Sequence, residues 1–304
     1  WMVDKLVPDL GITAVSGVPG SYKSWLSVYI AKCVNEGLSV LGKFETNPAS
    51  VLVVDLENPI RVIRDRLTLL GFSKKNKTYY WKGSFAVDDD DDFGKLKSSI
   101  EAKKIRLVIF DSLVRMHNGD ENDSRSMSAV FKRLKELADL KASVVFIHHS
   151  RKQSFSNRGG AGETMRGSSD ILAAIDSHLL LEKTKDGIKV TQSKLRQDEP
   201  VKPFNLKVVG GGDKFEFEYA GEAEEPLDKL TQAREELVKL LSEKELTRQE
   251  AIESLKETCG AVIVDKSLKG LMAEKVVDRR VGARNTHTYY LVKDREEEQV
   301  SLIV

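Results

Sequence analysis

Two cysteines in 304 residues are too few for a disulfide framework, and Cys33 and Cys259 lack the close spacing of a metal site. Each falls in a stretch of helical character, so both read as free thiols in a reducing compartment. Neither sign of charge is in excess: 48 basic against 47 acidic side chains leave a net charge of +1. No global field draws the chain to polyanions, and affinity for nucleic acid must come from local patches. No apolar run approaches the roughly 20 residues needed to cross a bilayer, and no secretory leader precedes the first strand. These absences argue against a disulfide-stapled secreted protein and a helical membrane protein, and predict a cytoplasmic chain with no membrane partner. What is present is ordinary: 40% hydrophobic and 31% charged residues support a real core. The length accommodates two domains. The first strand begins soon after Trp1, a start compatible with a longer parent chain.

Apolar β-rich runs alternate with helical runs as far as about residue 180. Ile12 to Ser16 reads as a strand and Trp25 to Asn35 as a helix; Val51 to Leu56 is a strand, followed by a helix through Ile60 to Leu70. Thr78 to Trp81, Ile105 to Phe110 and Ser143 to His148 are further strands, and Met127 to Leu140 is an amphipathic helix. This alternation predicts a parallel sheet with crossover helices. From Ser177 the pattern changes to an antiparallel meander with turns such as Gly210-Gly211-Gly212. The run Asp88 to Asp92 reads as a solvated loop before a helix beginning near Phe93, rather than as a metal site.

The most informative stretch is Gly17-Val18-Pro19-Gly20-Ser21-Tyr22-Lys23-Ser24, followed by Trp25, between the first strand and the first helix. Glycines let backbone N–H groups close around phosphates, a helix N-terminus adds partial positive charge, and a lysine reaches the terminal phosphates. The hydroxyl of Ser24 can ligate Mg²⁺. Tyr22 stands where such loops usually carry glycine, at a cost of about 1–2 kcal/mol if the position needs a positive φ. Three further groups end predicted strands, where open α/β sheets bind ligands. Asp111 could orient Mg²⁺ or only cap a helix. Glu57 could polarise an attacking water or only face solvent, and His149 could sense the terminal phosphate or be a satisfied core histidine. His148, beside it, points to the other face of its strand and reads as structural.

Together these stretches resemble the RecA-type ATPases, and among them the RepA-type hexameric plasmid-replication helicases. The residues that carry the resemblance are Gly17 to Ser24, Val53 to Asn58, Asp111 to His117 with Glu121-Asn122, Val145 to Lys152, and Arg166 to Ser169. The resemblance covers about the first 180 to 220 residues. It implies a RecA-like α/β core with an antiparallel extension, ATP and Mg²⁺, and a homo-oligomer, a hexamer in that family. It also implies that Lys23 and Ser24 hold phosphate and metal, that Asp111 makes the second metal contact, and that Glu57 is the general base. His149 would be the sensor, and Arg166 an arginine finger on the neighbouring subunit's nucleotide. Loops facing a central pore would touch single-stranded DNA through Arg115 and His117, and through Arg151, Lys152 and Arg158. Composition independently predicts that the second of these loops is mobile, because Gly159-Gly160-Ala161-Gly162 cannot order itself by packing.

The acidic, proline-terminated stretch Gly221 to Pro226 reads as a linker, dividing an ATPase domain over 1–222 from a second domain over 223–304. Helices from about Leu227 to Glu243, from the capping-box pattern Thr247-Arg248-Gln249-Glu250, and from Asp265 to Lys275 precede two β-like runs, Val276 to Val281 and Thr286 to Val292. This order suggests a winged helix. Lys266 and Lys269 on its third helix, and Arg279, Arg280 and Arg284 on its wing, are candidate DNA contacts; such domains also bind proteins. Two functions stand: an ATP-driven motor on single-stranded DNA, or an ATP-dependent DNA-binding switch such as a recombinase paralogue, loader or regulator. A metabolic phosphotransferase lacks any sign of a lid or acceptor pocket.

Overall fold

Runs of six or seven residues, rich in valine and isoleucine, become strands covered on both faces. The computed structural model describes residues 1–73, 77–149, 169–211, 214–223, 229–282 and 286–292. The chain divides into two units, Trp1–Glu224 and Glu225–Val304. The larger unit runs β1 (Ile12–Gly17), α1 (Lys23–Glu36), β2 (Ser50–Asp55), α2 (Ile60–Leu69), β3 (Thr78–Trp81), α3 (Asp90–Lys103), β4 (Ile105–Asp111), a 3₁₀ turn (Leu113–Arg115), α4 (Ser124–Asp139), β5 (Ser143–His149) and α5 (Ser169–Ala174), then β6 (Ser177–Lys183), β7 (Ile188–Leu195), β8 (Phe204–Gly211) and β9 (Lys214–Glu222). All nine strands form one sheet in the order β3-β2-β4-β5-β1-β6-β7-β8-β9.

Strand periodicity decides which face each side chain serves. Val51 and Val53 of β2, Leu107 and Ile109 of β4, and Val145 of β5 pack in one cluster with Leu26, Ile30 and Val34 of α1. The alternate residues Leu52, Val54, Val108, Phe110, Val144 and Phe146 pack with Leu96 and Ile100 of α3 and with Val130, Phe131 and Leu134 of α4. The same alternation carries Gly17, Asp55, Asp111 and His149 to the α1 side. Register brings them to one end of the sheet: Asp55 lies opposite Asp111, and Gly17 opposite His149. His148, opposite Ser16, is turned to the other face and is buried.

The antiparallel extension is present: β6 to β9 pair antiparallel in succession, and β6 joins them to the core by pairing parallel with β1. One expectation needs correction. The helix expected near Phe93 begins at Asp90, with Asp89 as N-cap accepting from the Asp92 amide. Asp90, Asp91 and Asp92 occupy its first turn, where negative charge offsets the helix dipole. They are helix-start residues and not a loop. Cys33 and Cys259 are both buried thiols outside any disulfide, and burial pushes the Cys33 thiol up to about 11.

The smaller unit contains α6 (Lys229–Glu243), β10 (Leu246–Thr247), α7 (Arg248–Ser254), α8 (Ala261–Ala273), β11 (Val277–Val281) and β12 (His287–Leu291). Its sheet order is β10-β12-β11, antiparallel throughout. Leu237, Leu241, Leu255, Val264, Leu268 and Tyr289 make its core. At the start of α7, Thr247 and Glu250 form a reciprocal capping box. Among the described residues, no helix of either unit is long and apolar enough to cross a membrane.

Candidate nucleotide-binding site

The turn between β1 and α1 is shaped by residues that ordinary side chains could not replace. A Cβ on Gly17 would meet the Leu181 carbonyl oxygen at 2.4 Å and Ser21 Oγ at 2.6 Å. Gly20 has φ +80°. Tyr22 is the N-cap of α1 and sits in the left-handed region at φ 64°, ψ 18°, so the cost anticipated for a side chain there is incurred. The helix then begins at Lys23, which places Lys23 and Ser24 in its first turn.

Lys23 is 5% exposed, and its Nζ lies within the loop, donating to the carbonyls of Gly17 and Val18 at 2.9 Å each. Burial lowers its pKa, opposed by the charges of Asp111 and Glu57. Asp111, at the end of β4, caps no helix; Ser112 is the N-cap of the 3₁₀ turn. Its carboxyl is hydrogen-bonded to the side chain of Ser24 from α1. Burial pushes its pKa up to about 7; the Ser24 hydrogen bond and the Arg66 charge hold it down, and Asp55 and Glu57 add to the rise. Its Oδ1 is buried with no partner in the protein. A buried carboxylate with a free oxygen beside a serine hydroxyl matches the oxygen donors that Mg²⁺ prefers, and a cation there would offset the desolvation. The donor set therefore fits the metal.

Glu57 follows the end of β2. Ser112 Oγ donates to its Oε1 at 2.6 Å, and His149 Nε2 lies 3.7 Å from the same oxygen. The Nδ1 of His149 is buried without a partner. The Glu57 backbone is pinned by Asp55, whose Oδ1 accepts from the amides of Glu57 and Asn58.

Three contributors escaped the sequence reading. Arg66 of α2 donates from Nη2 to Asn58 Oδ1 at 3.2 Å, while its Nε and Nη1 are buried and unpartnered. Tyr80 of β3, opposite Val53 in register, buries a hydroxyl that also has no partner. Asp55 holds the loop after β2. The signal for Arg66 was helical spacing: it stands three residues from Ile63, the buried residue of α2, and so shares its face. The signal for Tyr80 was period two.

The remaining candidates distribute less simply. Arg115 is exposed on the 3₁₀ turn. His117 is only 8% exposed and neither ring nitrogen has a partner, so in this arrangement it is not a surface contact. In the smaller unit Lys266, Lys269 and Arg279 are exposed and, among the described residues, form no ion pair. Arg280 is ion-paired with Glu245. Arg151, Lys152, Arg158, Arg166 and Arg284 lie outside the described residues.

A phosphate loop entering α1 and an acidic strand end beside its serine, with β1 between β5 and β6 of a largely parallel sheet, define the RecA-type P-loop ATPase fold. The chain belongs to the AAA_25 family, whose model, described as an AAA domain, matches residues 1–154. Among solved structures it is similar to a DnaB-like replicative helicase, described together with its interactions with primase. That similarity has a TM-score of 0.55 at 16% identity and covers 69% of this chain. The chain spans 59% of the length of that helicase.

Proposed function

We propose that this protein is an ATP-hydrolysing, ring-forming motor acting on single-stranded DNA, of the RepA-like replicative or mobile-element type. The observation that carries this reading is the convergence of Lys23, the Ser24–Asp111 pair, Glu57 and His149 at one end of the sheet. In this reading the loop amides and Lys23 grip the triphosphate. Ser24 and Asp111 would hold Mg²⁺, which when bound neutralises charge on the phosphate oxygens. Glu57, oriented by the Ser112 hydroxyl, takes the proton of the attacking water. His149, 3.7 Å from Glu57 Oε1, is placed to relay the state of the terminal phosphate to the segment that follows it. Arg66 offers the N–H groups of two unpartnered nitrogens, Nε and Nη1, to charge developing on the transferred phosphoryl group. Arg166 acts in trans on the neighbouring subunit's ATP, and Arg115 with Arg151, Lys152 and Arg158 faces the strand in the pore.

The expected outcome is ATP turnover stimulated by single-stranded DNA, lost by about 10²–10³-fold in Lys23→Ala. Arg166→Ala should lose stimulated turnover while retaining nucleotide binding, and equal mixtures with Lys23→Ala should recover activity through mixed interfaces. Unchanged turnover in Arg166→Ala excludes the finger. Native mass measurement with ATP and an oligonucleotide reads ring formation.

The exposed Lys266 and Lys269 on α8 favour a second reading, in which the smaller unit is a winged helix and the ATPase sets the oligomeric state of a DNA-binding switch. Strand separation that requires hydrolysis separates the two: a protein that binds duplex DNA and never unwinds it is the switch.

A further inference from the structure

The loop contains an aromatic substitution that phosphate binding does not explain, Tyr22, and the residue after its serine is a tryptophan. Both rings meet the outermost strand of the sheet. Trp25 is stacked on Phe215 of β9, with ring centroids 4.0 Å apart and planes at 21°, and Tyr22 packs against the same Phe215 at 6.1 Å. Phe217 braces Phe215 edge-on at 5.1 Å. The guanidinium of Arg66 lies over the Trp25 ring, 5.5 Å from its centroid.

We propose that Trp25 is a positioning residue for Arg66, and that the β8–β9 hairpin, through Phe215, locks the indole that holds the guanidinium at the nucleotide site. The proposal rests on the reading of that site as a nucleoside triphosphatase. Its physical basis is the state of the guanidinium. An arginine with five donors in a fixed fork is expected to satisfy them when buried. Here only Nη2 has a hydrogen-bond acceptor, Asn58 Oδ1, and Nε and Nη1 are buried without one. Salt bridges do not hold it in place, because neither Asp55 nor Asp111 forms an ion pair with it among the described residues, although its charge acts on Asp111. The indole face, 5.5 Å from the guanidinium carbon, therefore shares with the Asn58 hydrogen bond the work of holding the guanidinium. Attraction to a ring face orients the cation without consuming its N–H donors, which leaves the three N–H groups of Nε and Nη1 unpaired within the protein and open to phosphate oxygens. An ion pair would have used them.

The aromatic brace also accounts for Tyr22. A glycine there would relieve the left-handed backbone but would remove the ring that seats the loop against β9. The consequence is a physical connection from the antiparallel extension to the catalytic end of the sheet: Phe215 to Trp25, Trp25 to Arg66, Arg66 to Asn58, and Asn58 to Asp55, which it meets at 3.0 Å.

The test uses the full chain. Trp25→Leu keeps apolar bulk and removes the ring face; kcat should fall about tenfold, with KM for ATP changed by less than twofold. Trp25→Phe retains a ring face and should recover turnover to within about threefold of the parent. Arg66→Lys should fall as far as Trp25→Leu, and the double variant should fall no further, because both changes remove one interaction. Phe215→Leu should give a smaller loss of the same kind. Full turnover in Trp25→Leu overturns the proposal, as does failure of Trp25→Phe to rescue or a multiplicative double variant. A second measurement needs no hydrolysis. Trp1 and Trp81 are the other tryptophans. In a Trp1→Phe, Trp81→Phe background, Arg66→Leu should change the Trp25 emission of the nucleotide-free protein, and an unchanged spectrum refutes the contact. Absence of turnover in the parent would overturn the triphosphatase reading alone, and the emission measurement would still decide the brace.

Discussion

The two units of this chain treat polar groups in opposite ways. In the larger one, Arg66, Tyr80, Asp111 and His149 bury polar atoms that find no partner in the protein, and these four stand toward the carboxyl ends of β3, β4 and β5 or on the helix after β2, while Thr13, Ser27, Thr78 and His117 bury unpartnered atoms in other parts of the unit. In the smaller one, the described charged groups meet each other at the surface: Arg248 with Asp265, Arg234 with Glu274, Arg280 with Glu245. Among its described residues only His287 buries an unpartnered side-chain atom. An unsatisfied buried group costs about 1–3 kcal/mol, and the four titratable ones grouped at this sheet end are where folding stability is exchanged for capacity to bind. Among its described residues the small unit shows no such grouping.

The contrast is sharpest in its pH dependence. Asp111 has its pKa raised to about 7 in the folded protein. It thus binds more protons folded than unfolded. Its stabilising effect is complete below about 4 and is lost as the pH rises through about 7, a change of about 4 kcal/mol for three pKa units. Asp265 and Glu250 in the small unit have lowered values, from hydrogen bonds with Arg248 and Thr247 respectively. Their contribution is present above about 4 and is lost as the pH falls below it. Denaturant titrations without metal should therefore find Asp111→Asn more stable than the parent at pH 8 and equal to it near pH 4. Mg²⁺ should raise the parent's melting midpoint at pH 8 and leave it almost unmoved at pH 5. A parent and Asp111→Asn with parallel pH curves would erase the distinction between the two regions.

Gly17→Ala tests the same end of the sheet by sterics. The new methyl would be 2.4 Å from the Leu181 carbonyl oxygen, a backbone atom that a rotamer change cannot move. A loss of about 1–3 kcal/mol is expected from overpacking, together with loss of nucleotide binding because the loop must shift. Thermal melts and binding of a fluorescent nucleotide analogue measure the two.

Much of this architecture was legible because its elements announce themselves locally. Buried strands such as Val51 to Val54 and Leu107 to Phe110 read as continuous apolar runs, and the glycines of the phosphate loop stand between a strand and a helix. Strand ends identified Asp111, Glu57 and His149. What escaped was whatever depends on a second element. Arg66 becomes part of the site only when α2 folds back over Trp25, and Tyr80 only when β3 pairs beside β2. The start of α3 was misplaced because a run of aspartates is read as solvated, whereas Asp89 caps and Asp90 to Asp92 favour the helix dipole. His117 looked accessible because charge and polarity were the only guides, and packing buries it. The parallel pairing of β6 with β1 is invisible in a run of leucines whose neighbours in sequence form a meander.

The smallest effects belong to the small unit. Val262, Lys266 and Lys269 fall at i, i+4 and i+7 on the exposed face of α8, with Val262 64% exposed. If this face meets phosphate, Lys266→Glu with Lys269→Glu should weaken duplex binding about tenfold and lower the log–log salt slope by about 2. ATP turnover without DNA should be unaffected, since neither residue is part of the nucleotide site. The capping box at α7 gives the finest comparison. Thr247→Ala removes the acceptor for the Glu250 amide and the partner of the Glu250 carboxylate, at a cost of about 1 kcal/mol. Amide exchange should accelerate in α7 and leave α1 unchanged. Equal acceleration in both units would mean that they unfold together, and that the division between a strained binding unit and a well-capped one does not extend to their stability.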